Sequence, residues 1–495
     1  MPFSLSPLPP RQFDHAAARH LLWRVGYGGT PQDIAHLVKL GLDAAVDHLM
    51  AYPPLDPAAA IPSHLDPNII RIRTDEEKKR FKKARSEGDQ ATLDAARTMR
   101  IEARKVDRQM FEQLQQWWLQ HMIATSRPFE ERLTFFWHGH FATSQRSVGD
   151  AYLMYAQNHT MRQKGRGPFI DLLTAMIHDP AMLKYLNNDR NVVGKPNENL
   201  ARELMELFTL GVGHYTEQDI KETARALTGH AVHDNDFQFR PRKHDDGDKN
   251  ILGETGPFDG KTVALLLAQR PACAHFIALK LYDHFVADVG DVDNQVPDDH
   301  RPAIDAFAQI LRDEQMRIGP ALQRLFKSQH FYSSKIVGQK IKSPIQLVVN
   351  TVRSLSTPLR QMKHLLPALR KMGQLPFEPP SVDGWNSGRT WINTSTLLVR
   401  QNYIAYLTAG LAVTRKMKPG DVPYRPTALL AHLNNPTPQV AADALIDHAL
   451  GSHVSAARRA PLHALAQTLL ADGLHDEPLS HFIAALTATP EYQLC

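Results

Sequence analysis

Residues 196–229 read PNENLARELMELFTLGVGHYTEQDIKETARALTG, a stretch with two helix starts and two helix stops. Pro196-Asn197 precedes ENLARELMELFTLG, in which Leu200, Leu204 and Leu207 recur at helical spacing and which ends at Gly211. Apolar residues three and four apart make one face of a helix, not of a strand. Thr216 then opens TEQDIKETARALTG, with Thr216 and Asp219 as a capping pair and Gly229 as the stop. A hydroxyl at the N-cap takes up an orphan amide of the first turn, and glycine tolerates the left-handed conformation that closes the last. The stretch predicts a mainly α fold.

The same signals recur along the chain. A short amphipathic helix runs from His15 and is stopped by Gly26, and the next starts at Thr30, with Pro31 in the first position and Asp33 completing the cap. Pro53, Pro54 and Pro62 mark a linker. Residues 74–112 are charged with sparse apolar positions, as in one or two long solvated helices; a basic arm for nucleic acid is disfavoured because acids are interleaved throughout. Residues 167–186 carry the pattern of a buried helix, and further helices are expected at 261–267, 271–286, 301–314, 318–326 and after Ser343. Two stretches lose the period, 231–260 and 373–396. The first, with one alternating patch at FQFR, is expected to be a long ordered loop or a small hairpin and the second a long irregular segment, and such a loop in a helical body is usually functional or interfacial. The expected organisation is an N-terminal helical segment (1–60), a charged long-helix insertion (61–125), a central helical core (126–403) and a C-terminal helical cap (404–495).

Composition sets the outer bounds. Of 495 residues, 43% are hydrophobic and 22% charged, an ordinary globular balance that excludes a largely disordered chain. The formal charge of +5 is thinly spread, so a nucleic-acid partner is not implied. The two cysteines, Cys273 and Cys495, form no CxxC or Cys/His cluster, which excludes a zinc knuckle; Cys495 is expected to be frayed. The first residues lack a basic region followed by an apolar run, so the chain as written reads as cytoplasmic, or as periplasmic or exported if a leader has been removed. No apolar run of about 18 residues appears, so no transmembrane helix is expected.

Four groups of residues could carry chemistry. In FFWHGHFATS, His138 and His140 flank Gly139; they lie about 200° apart on a helix, but a helix end at the glycine would let both imidazoles converge as metal ligands. The plain alternative is an aromatic core segment with each ring bonded to backbone. Glu198, Arg202 and Glu206 fall at i, i+4 and i+8, either a surface ladder or a buried polar stripe orienting ligands. His244-Asp245 resembles, weakly, the dyad of metal-dependent helical phosphohydrolases, but sits in a polar loop. Trp385 and Trp391 stand beside glycine turns, where they could stack a ligand or plug the core. G-x-S-x-G, the GxxxxGK[ST] phosphate loop and HExxH are absent.

ARHLLWRVGYGGTPQDI, FFWHGHFATS, DPAMLKYLNN, NENLARELMELFTLGVGHYTEQDIKETARALTG, FRPRKHDDGDKNILGETG, KSPIQLVVNTVRSL and PPSVDGWNSGRTWIN occur in that order. Together they resemble domain-of-unknown-function family 1800. The resemblance implies a large bacterial protein, often exported and often encoded beside a sulfatase-like family that is the suggested partner; no activity comes with it. The family usually reads ALTGW where this chain has His230.

Two functional readings follow. In the first, the chain is a metal-dependent hydrolase of a polymer or ester-type substrate. His138, His140 and Glu206 hold a divalent metal ion, Glu198, His244 and Asp245 are catalytic, and Arg202 supports the carboxylates. In the second, it is a non-catalytic binding or assembly protein that presents Trp385 and Trp391 to a partner.

Overall fold

The computed structural model describes residues 5–52, 62–70, 74–289, 296–358, 364–409 and 423–495; Pro53 and Pro54 of the expected linker lie outside them. Among the described residues the chain forms 22 α-helices and two small two-stranded sheets, a mainly α fold with little β.

The capping signals act where the sequence puts them. Thr30 accepts from the Asp33 amide and Asp33 from the Thr30 amide, opening the helix Pro31–Leu40. Thr216 and Asp219 do the same for Glu217–Ala226, and Ser343 caps Pro344–Leu355. The charged stretch is a helical hairpin, Asp75–Glu87 against the 35-residue helix Gln90–Ala124.

Three expectations change. The apolar run 167–186 is two helices, Phe169–Ile177 and Pro180–Tyr185, because Asp179 caps the second and Pro180 takes its first position. A cap followed by proline restarts a helix even where the apolar period runs on. The helix after Pro196 spans only Asn199–Glu206; the amides of Leu210 and Gly211 both turn back to the Met205 carbonyl, so the chain unwinds before Gly211. Cys495 is not frayed: it is buried, its amide donates to the Lys340 carbonyl and its Sγ accepts from Gln346.

The segment 231–260 holds two hairpins. Strands β1 (His230–His233) and β2 (Asp236–Phe239) pair antiparallel, as do β3 (Lys249–Ile251) and β4 (Glu254–Gly256). Both turns put two residues at positive φ, Asp234-Asn235 and Leu252-Gly253, the geometry whose twist suits a two-residue hairpin.

The helix Pro128–His140 separates two apolar cores. Phe129, Leu133, Phe136 and Trp137 face the larger core, built with the N-terminal helices and much of 161–336. Phe135 faces the second, with Trp118, Leu119, Val348 and Phe377. The helix Pro344–Leu355 is buried almost all round, with Leu347 and Leu355 entering a third core formed mainly by 424–492. Across the second core a buried ion pair joins Glu131 to Arg162, at 2.6 Å, and Glu131 also accepts from the Trp118 indole at 2.7 Å. Among the described residues no single helix is long and apolar enough to cross a membrane.

Candidate functional site

His138 and His140 end a helix that continues unbroken through both, so their rings diverge. His138 stays on the Phe135 side, where its Nε2 accepts from the Phe377 amide at 2.9 Å, 239 residues along the chain. His140 stays on the Phe136 side, stacked on that ring, and its Nε2 meets the Phe208 carbonyl at 3.0 Å. Burial lowers both imidazoles to about 3, in His140 with help from the Lys280 charge, so both are neutral at physiological pH. Each ring has a backbone partner; neither meets Glu198, Glu206 or the His244-Asp245 pair. Among the described residues no group of three or more His, Cys, Asp or Glu side chains is placed to share a metal ion.

The other expected residues also separate. Arg202 turns to Glu217, with a fork of 2.9 and 2.7 Å, and reaches Glu198 only at 3.4 Å. That network is half-exposed, not buried. Glu206 instead accepts from the Tyr215 hydroxyl at 2.9 Å. His244 Nδ1 bonds the Thr228 carbonyl, and Asp245 is held by the Arg225 guanidinium at 2.9 and 3.1 Å. These contacts pin the 241–248 loop to the end of Glu217–Ala226, and Gly229 makes room: a Cβ there would lie 2.9 Å from the Arg240 carbonyl.

What does converge is the backbone of two of the quoted motifs. Gly384, at φ +83°, sits so close to the end of the 128–140 helix that a Cβ on it would stand 2.2 Å from the Gly139 carbonyl oxygen. The preceding turn is closed by Ser381, whose hydroxyl accepts from the Asp383 amide at 3.2 Å. Trp385 then stacks on Phe135 at 5.6 Å and lies 5.6 Å from His138, while Trp391 is buried. Both tryptophans plug the core, and their rings face inward.

This docking brings Asp383 near the helix Asn199–Glu206. Glu203, three residues before Glu206 on the same face, is half-buried there. Burial, the Glu206 charge and then the Asp383 charge raise its carboxyl to about 7. The same Glu203 and Asp383 charges, after burial, raise the Tyr185 phenol. Glu203, Glu206 and Asp383 thus act on one another electrostatically, with Tyr185 and Tyr215 beside them, where DPAMLKYLNN, NENLARELMELFTLGVGHY and PPSVDGWNSGRTWIN approach.

Of these residues the sequence reading singled out Glu206 alone. Glu203 and Glu206 stand at i, i+3, a spacing visible in the sequence; Asp383 gave no sign of its neighbours until the loop 373–396 docked.

The chain belongs to the family described as "Protein of unknown function (DUF1800)", whose model matches residues 20–494. No curated protein and no solved structure matches the chain.

Proposed function

We propose that the protein is a hydrolase of a polymer or ester-type substrate, working by carboxylate acid–base chemistry. Glu203 supports this reading: burial and two neighbouring acids raise its carboxyl to about 7, toward the working range of an acid–base catalyst. Groups tuned toward the working pH by burial and like charge are the usual acids and bases of catalysis. Glu203 would give its proton to the leaving oxygen as the substrate bond breaks. Asp383, the exposed member of the group, would take a proton from the attacking water. Glu206, bonded to Tyr215, adds to the burial that raises the Glu203 carboxyl.

The test is a panel of chromogenic esters and glycosides, assayed with wild type and Glu203→Gln, with and without EDTA. Activity in the wild type that falls by about a hundredfold or more in the variant supports the reading, since a general acid contributes about 10²–10⁴-fold. Activity equal in both proteins refutes it. Loss in EDTA would restore the divalent-metal form of the reaction, and retention would remove it.

A further inference from the structure

On the far side of the turn that follows Glu206 lies an open cleft of about 740 Å³. Its walls come from the loop after the helix Asn199–Glu206 (Leu210, His214), the β3–β4 turn (Leu252), the start of Pro271–Phe285 (Arg270, His275) and the end of Arg301–Asp313 (Arg312). That volume lies in the range that holds a small organic ligand, about 300–1,000 Å³.

Its charge is one-sided. No acidic residue lines it, and two guanidiniums and two imidazoles do. Among the described residues Arg312 pairs with no carboxylate; its side chain bonds the Gln309 amide oxygen and is exposed. Arg270 donates to the Leu252 carbonyl at 3.0 Å, stands 3.9 Å from the Glu254 carboxylate and lies near the Asp219 charge. Each guanidinium therefore keeps N–H donors free of carboxylate, and a guanidinium carries five in a fixed fork. His275 is paired with Asp305 at 3.1 Å and adds shape more than charge.

The floor is apolar and is held in place at a cost. Leu252 occupies φ +52°, a left-handed position where a turn of this kind favours Asn, Asp or Gly. Two bonds fix it there: its amide donates to the Asp219 carboxylate at 2.6 Å, and its carbonyl accepts from Arg270. The side chain so placed packs beside the large core next to buried Leu210 and forms part of the cleft wall. Backbone positions held in sparsely populated conformations cluster at active sites and ligand clamps.

We propose that this cleft binds a small oxyanion ester, a phosphate or sulfate group held by Arg270 and Arg312 with its apolar body lying on Leu210 and Leu252. Two forks arriving from separate elements suit a tetrahedral group with three outward oxygens better than a carboxylate with two. The site stands apart from the chemistry proposed at Glu203 and does not depend on it.

Titration calorimetry of the full chain with phenyl phosphate, phenyl sulfate, inorganic phosphate and phenol tests this. Wild type should bind at least one of the two esters saturably, about tenfold more tightly than inorganic phosphate, because the ring adds buried apolar area. Phenol should show no saturable binding. Arg312→Gln, at an exposed position, should keep its melting temperature and weaken the ester by about tenfold, the loss of one charge-assisted contact. Arg270→Lys, which keeps the charge without the fork, should weaken it as well. No saturable binding by wild type up to about 10 mM, equal affinity for ester and inorganic phosphate, or unchanged affinity in Arg312→Gln overturns the proposal.

Discussion

Replacing Arg162 by methionine removes the guanidinium that faces Glu131 in the second core. The two side chains are 2% and 0% exposed, and the pair is joined by bonds of 2.6 and 2.9 Å. Breaking a buried pair by deleting one partner costs about 3–5 kcal/mol, because the remaining charge stays buried. Glu131 keeps the Trp118 indole at 2.7 Å and His121 at 3.4 Å, which places Arg162→Met near the lower end, about 3 kcal/mol at pH 7. The pH dependence gives a second reading. In the wild type, burial pushes the Glu131 carboxyl up, but Arg162 outweighs it and holds the group well below the ordinary range. The pair therefore stabilises the fold above the ordinary carboxylate pKa and is lost only as the pH falls through the depressed value. In the variant burial acts without its main opponent, so the folded state takes up a proton first on acidification. The gap between the two proteins should narrow from pH 7 toward pH 5. Adding Glu131→Gln should recover about half the loss at pH 7, since no charge is then left buried. Urea denaturation followed by circular dichroism measures all of this. A loss under about 1 kcal/mol, or a gap that does not change with pH, would refute the reasoning.

Glu203→Gln should stabilise the fold by about 1 kcal/mol at pH 8, after discounting for solvent screening, and by next to nothing at about pH 4. The folded pKa of Glu203 is raised, so its contribution is present below the ordinary value near 4.5 and lost as the pH rises through about 7. Urea midpoints at the two pH values show whether the sign holds. Gly384→Ala sets a Cβ against the Gly139 carbonyl at a positive φ, which costs about 1–2 kcal/mol in backbone strain before the clash is counted. Limited proteolysis should then cut within 377–391 faster than in the wild type, and equal rates would count against the docking. Buried His138, His140 and His230 all sit at about 3, below the ordinary 6.5. Unfolded chains bind the protons these rings refuse, so stability should fall by about 2 kcal/mol per ring between pH 6.5 and 5, as a denaturation series would show.

The helical architecture was legible because its signals are local. Thr30 with Asp33, Thr216 with Asp219 and Ser343 before proline each act within one turn, and each opens a helix in the structure. Misreadings arose where two local signals competed, as at Asp179-Pro180 inside an apolar run. The site was harder. His138 and His140 lie two apart, and their roles depend on whether the helix stops at Gly139 or goes on, which tertiary packing decides. Arg202 had Glu198 and Glu206 at helical spacing but bonds Glu217 from the next helix. Glu203 carried no mark beyond its spacing from Glu206, because what raises its pKa, besides Glu206, is burial and the charge of Asp383 from distant chain.

The 239 residues between His138 and Phe377 also set a schedule. A ribosome adding about 5–20 residues each second needs roughly ten to fifty seconds to pass from one to the other. Throughout that interval the nascent helix 128–140 has emerged while the stretch of chain that roofs Phe135 and donates to His138 has not been made. Trp118 and Phe135 meet Phe377 and Trp385 only afterwards. An aromatic surface left open for so long is bait for holdase chaperones, and depletion of these should cost this protein more yield than a helical bundle of equal size whose contacts are all near neighbours.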